Sequence, residues 1–413
     1  MRDALLLTNE PATRAETIAE YQAMGGFAAL REALTRRSPA WVLEQLETSR
    51  LRGRGGASFP TARKWALAAQ TEAKQKYVVA NGGEHEPGSS KDKHLVAFYP
   101  HKILEGLLLC AYATGASIAW VYLIEDMDTQ IAATERAIAE LEAEGLIGDN
   151  ILGSEFSCKI RIHRAPPTYV AGEESAAIDS IEGGEGKPRE KPPYPGQAGL
   201  HAMPTTVNNV ETLAHVPGIL RMGGEAFSEI GTEQSTGSLL FTLGEGVLRP
   251  GVYELPFGST YRQLIQTCGG GLVEGRKLRA LLPALSCAFL LPHQLDIPIS
   301  YESLAELGTS PGCGGVHLWF EGEDVVAKTL EIADFFQREQ CGQCPPCNMG
   351  TAQYLNILRA VSEGRPGDYQ GAIHKVAAFI KGKGHCSLTS MATTPLLSAL
   401  EVFAEDFETR IRG

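Results

Sequence analysis

Four cysteines near the carboxyl-terminal end of the chain have the spacing of an iron–sulfur site. Cys341, Cys344 and Cys347 lie within seven residues. Cys386 follows 39 positions after the last of them. Three thiolates this close together can bind three corners of a cubane, and one distant thiolate then closes the fourth corner. Structural zinc usually takes two separated Cys-x-x-Cys pairs, and a thioredoxin-like pair would leave one cysteine of the triplet without a role. The spacing therefore favours a [4Fe-4S] cluster, with zinc or incidental cysteines as the alternatives.

A glycine-rich loop near the start of the chain could hold a phosphate group. Gly53, Gly55 and Gly56 allow a ligand to approach the backbone closely, and the helix start that follows offers unpaired N–H groups. Arg54, Arg63 and Lys64 add positive charge. The loop matches neither the dinucleotide fingerprint nor the P-loop, so a simple turn is the alternative.

Two acidic turns accompany this loop. One follows a strand-like run at 77–80 and extends over 81–88, and the other is 169–175. In α/β sheets, ligands bind at the carboxyl ends of strands, where such turns gather. Carboxylates and amides beside a phosphate cradle suit a flavin or nicotinamide ring and its ribityl or ribose hydroxyls, whereas helix capping is the alternative for each acid. The carboxylates concerned are Glu84, Glu86, Glu173 and Glu174.

Length, composition and charge restrict the class of protein. The chain has 413 residues, of which 43% are hydrophobic and 21% charged, as in a folded protein of several domains. A formal charge of -12 repels nucleic acid and anionic lipid. Residues 106–124 carry no charge but indicate a helix, a stop and a strand rather than a membrane span. The odd number of cysteines and the lack of a signal peptide favour a reducing compartment, which we expect to be the cytoplasm.

The order of predicted elements indicates a mainly α/β fold. Strand-like runs at 77–80 and 120–124 alternate with helical patterns such as 128–144, as in a parallel sheet with crossover helices. Runs at 238–243 and 251–255 flank a turn and predict a hairpin.

Changes of pattern along the chain predict four parts. Two apolar helical faces in the last part indicate a small helical bundle. The glycine- and proline-rich stretch 182–204 indicates an ordered loop over a ligand, or else a linker. The four parts are a helical lead-in at 1–48, an α/β domain at 49–235, a small α+β module at 236–327 and the helical bundle at 328–413.

These motifs occur in the order found in one known family. The sequence resembles the flavin-binding NADH-dehydrogenase subunit of respiratory complex I and the related diaphorase subunits of NAD-linked hydrogenases and formate dehydrogenases. The resemblance extends over roughly residues 20–413. The motifs that carry it are 51–65, 81–93, 169–175, 191–195, 204–213 and 341–347.

The resemblance implies a fold, an activity and a set of contacts. The fold would be a Rossmann-like FMN/NADH domain, a β-grasp (ubiquitin-like) module and a C-terminal four-helix bundle carrying one [4Fe-4S] cluster on the four cysteines. The activity would be that of an NADH:acceptor oxidoreductase, in which a hydride passes from NADH to FMN and single electrons pass to the cluster. By matching position, the FMN contacts would be Gly53, Arg54, Gly55, Lys64, Asn81, Glu84, Tyr169, Gly172, Glu173, Asn208 and Asn209. The NAD(H) contacts would be Gly55, Gly56, Phe59, Glu86, Glu174, Lys191 and Tyr194, with the aromatic rings stacking on adenine.

The resemblance also implies partners. They would be a small thioredoxin-like [2Fe-2S] subunit and a larger multi-cluster iron–sulfur subunit. The chain would then lie in the cytoplasm, or peripherally on the inner face of the membrane through those subunits. Nucleic acid binding and direct membrane insertion are not expected.

Several positions depart from the family pattern. Gly83 stands where aspartate is usual, Ser58 replaces a glycine, and Leu67 replaces a phenylalanine that helps hold adenine. Gly184 and Glu185 replace arginines. These departures keep a second interpretation open, an electron-transfer module with a ferredoxin-like partner and weak NADH binding. A third interpretation is a scaffold with a zinc-stabilised C-terminus.

Overall fold

A computed structural model describes residues 5–8 and 12–412. In these ranges two four-stranded sheets are surrounded by helices. The strands are β1 (Tyr77–Asn81), β2 (Ile118–Ile124), β3 (Lys159–Ala165), β4 (Thr205–Asn209), β5 (Ser238–Leu243), β6 (Gly251–Pro256), β7 (Leu278–Leu282) and β8 (Gly315–Phe320). The α-helices are α1 (Ile18–Ala23), α2 (Ala28–Arg36), α3 (Pro39–Ser49), α4 (Thr61–Gln70), α5 (Lys91–Phe98), α6 (Pro100–Thr114), α7 (Asp128–Ala143), α8 (Glu174–Ile181), α9 (Val210–Met222), α10 (Gly224–Ser228), α11 (Tyr261–Gln263), α12 (Tyr301–Glu306), α13 (Val325–Arg338), α14 (Pro345–Ser362), α15 (Tyr369–Ile380), α16 (Leu388–Val402) and α17 (Ala404–Arg412).

The first sheet is parallel throughout, in the order β3-β2-β1-β4. Both of its faces are buried, as parallel sheets require. Val78 and Ala80 of β1 point into the large core that includes α6 and α9. Val79 points the other way, where Ala177 and Ile178 of α8 cover it. The α/β fold predicted from the alternation of strand and helix patterns is confirmed.

The uncharged run of residues 106–124 divides as the sequence predicts. Helix α6 ends at Thr114, and Gly115 closes it in the left-handed region with φ 77°. Strand β2 then starts at Ile118. Among the described residues, no helix is both long enough and apolar enough to cross a membrane.

The second sheet is mixed and has the order β6-β5-β8-β7. Strands β5 and β6 form the predicted antiparallel hairpin, β5 and β8 pair in parallel, and β8 and β7 pair antiparallel. Helix α11, continued by one π-turn to Cys268, packs on this sheet through Tyr261 and Leu264. This arrangement confirms the β-grasp module.

The remaining chain forms a helical bundle, as predicted. Helices α13 to α16 make its four main members, and the short α17 packs against three of them. The predicted apolar faces are buried, with Leu358 and Val361 on α14 and Ile373 and Ile380 on α15. The ring of Phe403 stacks on Trp319 of β8 at a centroid distance of 5.4 Å, which joins the bundle to the second sheet.

Candidate functional site

The carboxyl ends of β1 and β4 bring two predicted asparagines together. Asn81 and Asn209 are paired across the parallel ladder. The Asn81 Nδ2 donates to the carbonyl of Gly172 at 2.8 Å, which holds the 169–174 turn at this edge. The Asn209 Nδ2 donates to Asp92 Oδ2 at 2.6 Å, and its Oδ1 accepts from the N–H of Glu211 at 3.0 Å. The edge is thus polar and rigidly held, as expected where α/β sheets bind ligands.

The glycine-rich loop lies over this edge. Its base is closed by the Gly53 N–H, which donates to the carbonyl of Phe59 at 2.9 Å. Gly55 lies so close to Asn209 that a Cβ atom at position 55 would be 3.2 Å from the Asn209 Cβ. Gly56 has φ +98°, a conformation that glycine adopts at no steric cost. The loop therefore runs close to the polar sheet edge without side chains at positions 55 and 56, as expected of a backbone that a phosphate-bearing ligand approaches closely.

Arg54 supports the loop from behind. Its side chain is 1% exposed, and Nε donates to the carbonyl of Ser238 at 2.9 Å while Nη2 donates to that of Thr236 at 2.6 Å. The guanidinium also lies over the ring of Phe257 at 4.9 Å. The sequence suggested that the Arg54 charge binds phosphate, but the guanidinium instead joins the first domain to the second sheet. The backbone N–H of Arg54 donates to Thr212 Oγ1 at 2.9 Å.

A buried ion cluster beneath the loop was not identified from the sequence. Lys91 Nζ donates to the carbonyl of Arg54 at 3.1 Å, to Asp92 Oδ1 at 3.1 Å, and to Glu211. Burial alone would lower the pKa of Lys91, but the two carboxylates hold it above its ordinary value. The Lys91-Asp92 pair lies just after the 81–88 turn in the sequence, and this position could have indicated that the two residues belong to the site.

The acidic residues of the 81–88 turn both hold neighbouring segments. Glu84 accepts from Ser89 Oγ at 2.5 Å and from the Lys93 N–H at 2.9 Å, and burial raises its pKa. Glu86 accepts from the Leu285 N–H at 2.9 Å and from the Tyr169 hydroxyl at 3.2 Å. Burial also raises the pKa of Glu86. Glu86 therefore links the first sheet, the 169–174 turn and the second sheet.

Two lysines and two glutamates form an ion network beside the turn. Lys64 Nζ donates to Glu174 at 2.9 Å and to the Val207 carbonyl at 3.0 Å. Lys191 Nζ donates to Glu173 at 2.5 Å and to Glu174 at 3.3 Å. Burial opposes the charge of Glu174, but Lys64 and Lys191 together lower its pKa. Glu174 is therefore ionised at neutral pH.

The remaining predicted contacts lie in different environments. Phe59 and Tyr194, proposed to stack on adenine, are 45% and 52% exposed and thus accessible to a planar ligand. Asn208 points away from the cradle, because its Oδ1 accepts from Trp65 Nε1 at 3.3 Å in the core and its Nδ2 faces Cys110. The structure thus brings most of the predicted contacts together but turns the Asn208 side chain inward.

The four predicted cluster ligands line one cavity. Cys341, Cys344, Cys347 and Cys386 surround it, together with Val170 of the 169–174 turn. The His385 N–H points at Cys344 Sγ at 3.4 Å. Burial raises the pKa of Cys347 to about 12 and that of Cys386 to about 11, so both are protonated thiols without a metal, and binding iron would release their protons.

The distribution of the four thiols also suits a cluster. The four cysteines line one cavity, as expected of ligands that bind a cubane with iron at separate corners.

Three segments of the chain match known protein families. Residues 46–218 match the Nuo51 FMN-binding domain, residues 242–280 match the SLBB domain, and residues 327–410 match the NADH-ubiquinone oxidoreductase-F iron-sulfur binding region. The chain is 39% identical over its full length to the F 2 subunit of the NADH-quinone oxidoreductase of Rhizobium meliloti (strain 1021), covering 98% of that protein. The chain belongs to the family of NADH-quinone oxidoreductase F subunits.

Other members and a solved structure agree with this membership. The corresponding F protein of Escherichia coli (strain K12) is 37% identical over 95% of this chain and 89% of that protein. The crystal structure of an NAD+-reducing [NiFe]-hydrogenase in the H2-reduced state superposes with a TM-score of 0.82 at 28% identity, covering 98% of this chain and 68% of that chain. Members of this family are oxidoreductases, and this one is an NADH-oxidising flavoprotein that passes electrons to an iron–sulfur cluster.

The family, fold class, activity and cofactors predicted from the sequence are confirmed. The cofactors are FMN, NAD(H) and a [4Fe-4S] cluster. The chain is a subunit of a multi-subunit NADH dehydrogenase or hydrogenase complex. The individual contacts to each cofactor stay predictions.

Proposed function

We propose that the glycine-rich loop and the edge of the first sheet hold FMN, that NAD(H) lies over it between Phe59 and Tyr194, and that the four cysteines hold the cluster. When bound, FMN takes a hydride from NADH, and the cluster takes electrons one at a time. Support comes from the close packing of Gly55 on Asn209, which brings the backbone of the loop to the polar edge of the sheet. We also propose the division into parts at 48, 235 and 327.

The observation that carries this proposal is a turn shared by both sites. In the 169–174 turn, the Gly172 carbonyl accepts from Asn81 at the sheet edge, and Val170 lines the cavity of the four cysteines. One short backbone segment therefore touches the proposed flavin site on one side and the proposed cluster site on the other. Such a juxtaposition suits direct electron transfer between two cofactors.

The side chains of the chain bind and orient rather than transfer protons. Glu84 and Glu86 already accept hydrogen bonds from backbone and hydroxyl groups, so they fix loops. Lys64 and Lys191 neutralise Glu173 and Glu174 and fix the start of α8. Hydride transfer needs no general base, so a site that positions two rings is sufficient.

The cluster end of the bundle has the charge expected for binding an acidic partner. Residues 340–362 and 369–400 contain no Asp or Glu, although the whole chain has a charge of -12. Met349 is 53% exposed and Phe379 is 44% exposed, and Lys383 Nζ lies 5.2 Å from the Phe379 ring centroid. We propose that this surface receives the next electron carrier. The small [2Fe-2S] subunit and the larger multi-cluster subunit are the proposed partners.

The structural match favours a second candidate function. The NAD+-reducing hydrogenase is similar over nearly the whole chain, so this subunit would run in reverse and reduce NAD+ in such a complex. Both candidates use the same site, and they differ in the partner that supplies or removes electrons. Mass spectrometry of the complex purified from the native host decides between them, because a hydrogenase large subunit would support only the second.

An absorption spectrum tests the shared part of the proposal. The purified chain, reconstituted with FMN, iron and sulfide, should show flavin bands and broad iron–sulfur absorption, and NADH should bleach both. Bleaching by dithionite alone would contradict NADH oxidation and favour an electron-transfer module. A protein without either chromophore after reconstitution would contradict the whole assignment.

A further inference from the structure

The helix that leads to the cysteine triplet is tied to the 169–174 turn by one carboxylate. Helix α13 ends at Arg338, and Glu339 follows, two residues before Cys341. The Glu339 Oε2 accepts from the Tyr169 N–H at 3.0 Å. Its Oε1 accepts from Arg338 Nε at 3.2 Å, and its side chain is 19% exposed. Glu339 thus bonds the first residue of the turn from the bundle side.

Tyr169 is the residue at which three parts of the molecule meet. Its ring packs edge-on against Phe335 and Phe336 of α13, at centroid distances of 5.2 and 6.2 Å. Its hydroxyl donates to Glu86, whose other oxygen accepts from Leu285 of the second module. The two rings fix the side chain of Tyr169, whereas Glu339 fixes its backbone. The backbone is the part that continues to Val170 and Gly172.

A continuous path therefore joins the sheet edge to the cluster loop. Asn81 holds the Gly172 carbonyl, the turn runs back to Tyr169, Tyr169 is held by Glu339, and Cys341 follows Glu339. Electron transfer slows steeply as the distance between carriers increases, so the geometry of this path affects its rate.

We propose that Glu339 is a positioning residue for electron transfer, because its carboxylate fixes the 169–174 turn against the start of the cysteine triplet. This role rests on the proposed function and adds no redox step to it. Each hydride still brings two electrons, and the cluster still takes one at a time. Glu339 does not touch either cofactor in this scheme; it acts through Tyr169 and Cys341.

The test compares Glu339→Ala, Glu339→Gln and Glu339→Asp in the full chain carrying FMN and the cluster. Alanine removes the acceptor for the Tyr169 N–H, glutamine keeps a carbonyl acceptor at the same length, and aspartate keeps the charge but shortens the reach. Stopped-flow absorption separates the NADH-driven reduction of the flavin from that of the cluster. Hydrogen exchange of the Tyr169 amide, measured with and without cofactors, reports on the bond itself.

The alanine and aspartate variants should reduce the cluster at least about tenfold more slowly, because loss of the bond lets the turn move by more than an ångström and electron transfer slows steeply with distance. Their flavin reduction should stay within about twofold of the unmodified protein, and glutamine should restore cluster reduction to within about threefold. The Tyr169 amide should exchange faster in the alanine and aspartate variants but not in the glutamine variant. If the Glu339→Ala variant does not assemble the cluster, the comparison of Glu339→Asp with Glu339→Gln still tests the proposal.

Asp334→Ala provides the matched control. Asp334 is a carboxylate on helix α13, which Glu339 follows. It also pairs with Arg338, at 3.2 Å, but it is not bonded to the turn. This variant should leave cluster reduction and Tyr169 exchange unchanged. Unchanged cluster reduction in Glu339→Ala, or an equal loss in the alanine and glutamine variants, would overturn the positioning role. Failure of NADH to reduce the flavin in the unmodified protein would instead reject the proposed function.

Discussion

Gly55 of the glycine-rich loop lies against Asn209 at the end of β4, in a contact that leaves no room for a side chain at position 55. A Cβ atom there would stand 3.2 Å from the Asn209 Cβ and 3.7 Å from its Cγ. Asn209 cannot yield easily, because Asp92 and the Glu211 N–H both hold its amide. The distance between loop and sheet edge therefore depends on the absence of a side chain.

Gly55→Ala should weaken FMN binding by about tenfold or more, because overpacking of this kind costs about 1–3 kcal/mol and displaces the cradle. Fluorescence titration of the apoprotein with FMN measures the change. Gly244→Ala is the control, since no atom lies within 4 Å of the position of its Cβ. Equal FMN affinity in Gly55→Ala and the unmodified protein would show that the flavin binds elsewhere.

Cys386→Ala should abolish the cluster and leave FMN bound. Cys386 lies between α15 and α16 and lines the cavity of the triplet, so its loss removes one proposed ligand without touching the glycine-rich loop. Metal analysis should return about four iron atoms per unmodified chain and none in the variant. Cys268→Ser, in the second module, should keep all the iron. Zinc near one equivalent in the unmodified chain would contradict the iron–sulfur assignment.

Glu16 makes stability depend on pH. It is 8% exposed, and burial raises its pKa to about 7, although the charge and the backbone N–H of Lys102 oppose that shift. The folded pKa of Glu16 exceeds its unfolded value of 4.5. The stability contributed by the protonated form is therefore complete below the unfolded pKa and is lost as the pH rises through the folded pKa. Glu16→Gln should therefore raise the melting temperature at pH 8 and change it little at pH 5.

The pKa difference corresponds to at most about 3 kcal/mol in the free energy of unfolding at pH 8. Differential scanning calorimetry at both pH values measures it. Glu44→Gln, on the exposed side of α3, should give no pH-dependent difference. A Glu16→Gln variant that is equally affected at pH 5 and pH 8 would rule out titration of this carboxyl as the cause.

NADH should be preferred to NADPH. Glu174 is kept ionised by Lys64 and Lys191, and Glu173 lies beside it. Because Lys64 and Lys191 are already engaged by these carboxylates, they are not free to bind a 2′-phosphate, and each close carboxylate–phosphate pair would add repulsion of about 1 kcal/mol. Steady-state kinetics of both nucleotides with an artificial acceptor gives the ratio of kcat/KM, and Glu174→Gln should reduce that ratio. Equal catalytic efficiency with both nucleotides in the unmodified protein would be the contrary result.

Helices and strands with long apolar patterns could be predicted from the sequence, whereas short strands rich in polar residues could not. The hairpin of β5 and β6 and the helix of residues 128–143 follow the sequence pattern closely. Strand β3 was missed, although its residues alternate, because only Ile160 and Ile162 are large and apolar and the strand lies at the sheet edge. Strand β4 was missed because its five residues end in two asparagines, which disfavour strands in isolation. Pairing with β1 outweighs that preference.

The site was predicted by residue type more accurately than by orientation. The cysteines and the acidic turns meet as their spacing suggested. The orientation of Arg54 could not be read from the sequence, because the carbonyls of Thr236 and Ser238 that bind it come from a distant module. Asn208 and Asn209 were treated alike, but adjacent residues of a strand point to opposite faces, so only one can face the cradle.

The surface around the proposed cluster site should bind the partner that receives the electrons. Reduced FMN carries two electrons and one [4Fe-4S] centre normally takes one, so electrons must leave through a partner. Lys381 and Lys383 are exposed beside Phe379, in a segment without carboxylates. Reversing both charges with Lys381→Glu and Lys383→Glu should slow electron transfer to an acidic iron–sulfur partner at least about tenfold at low ionic strength, with the difference shrinking as salt is added.

This loss should be specific to the partner. NADH:ferricyanide activity, which needs only the flavin site, should stay within about twofold of the unmodified protein. Lys74→Glu and Lys159→Glu, two exposed lysines of the first domain, provide a control with the same change in net charge. Electron transfer that slows equally in both double variants would attribute the effect to overall charge. Unchanged transfer after reversal of Lys381 and Lys383 would place the docking surface elsewhere on the molecule.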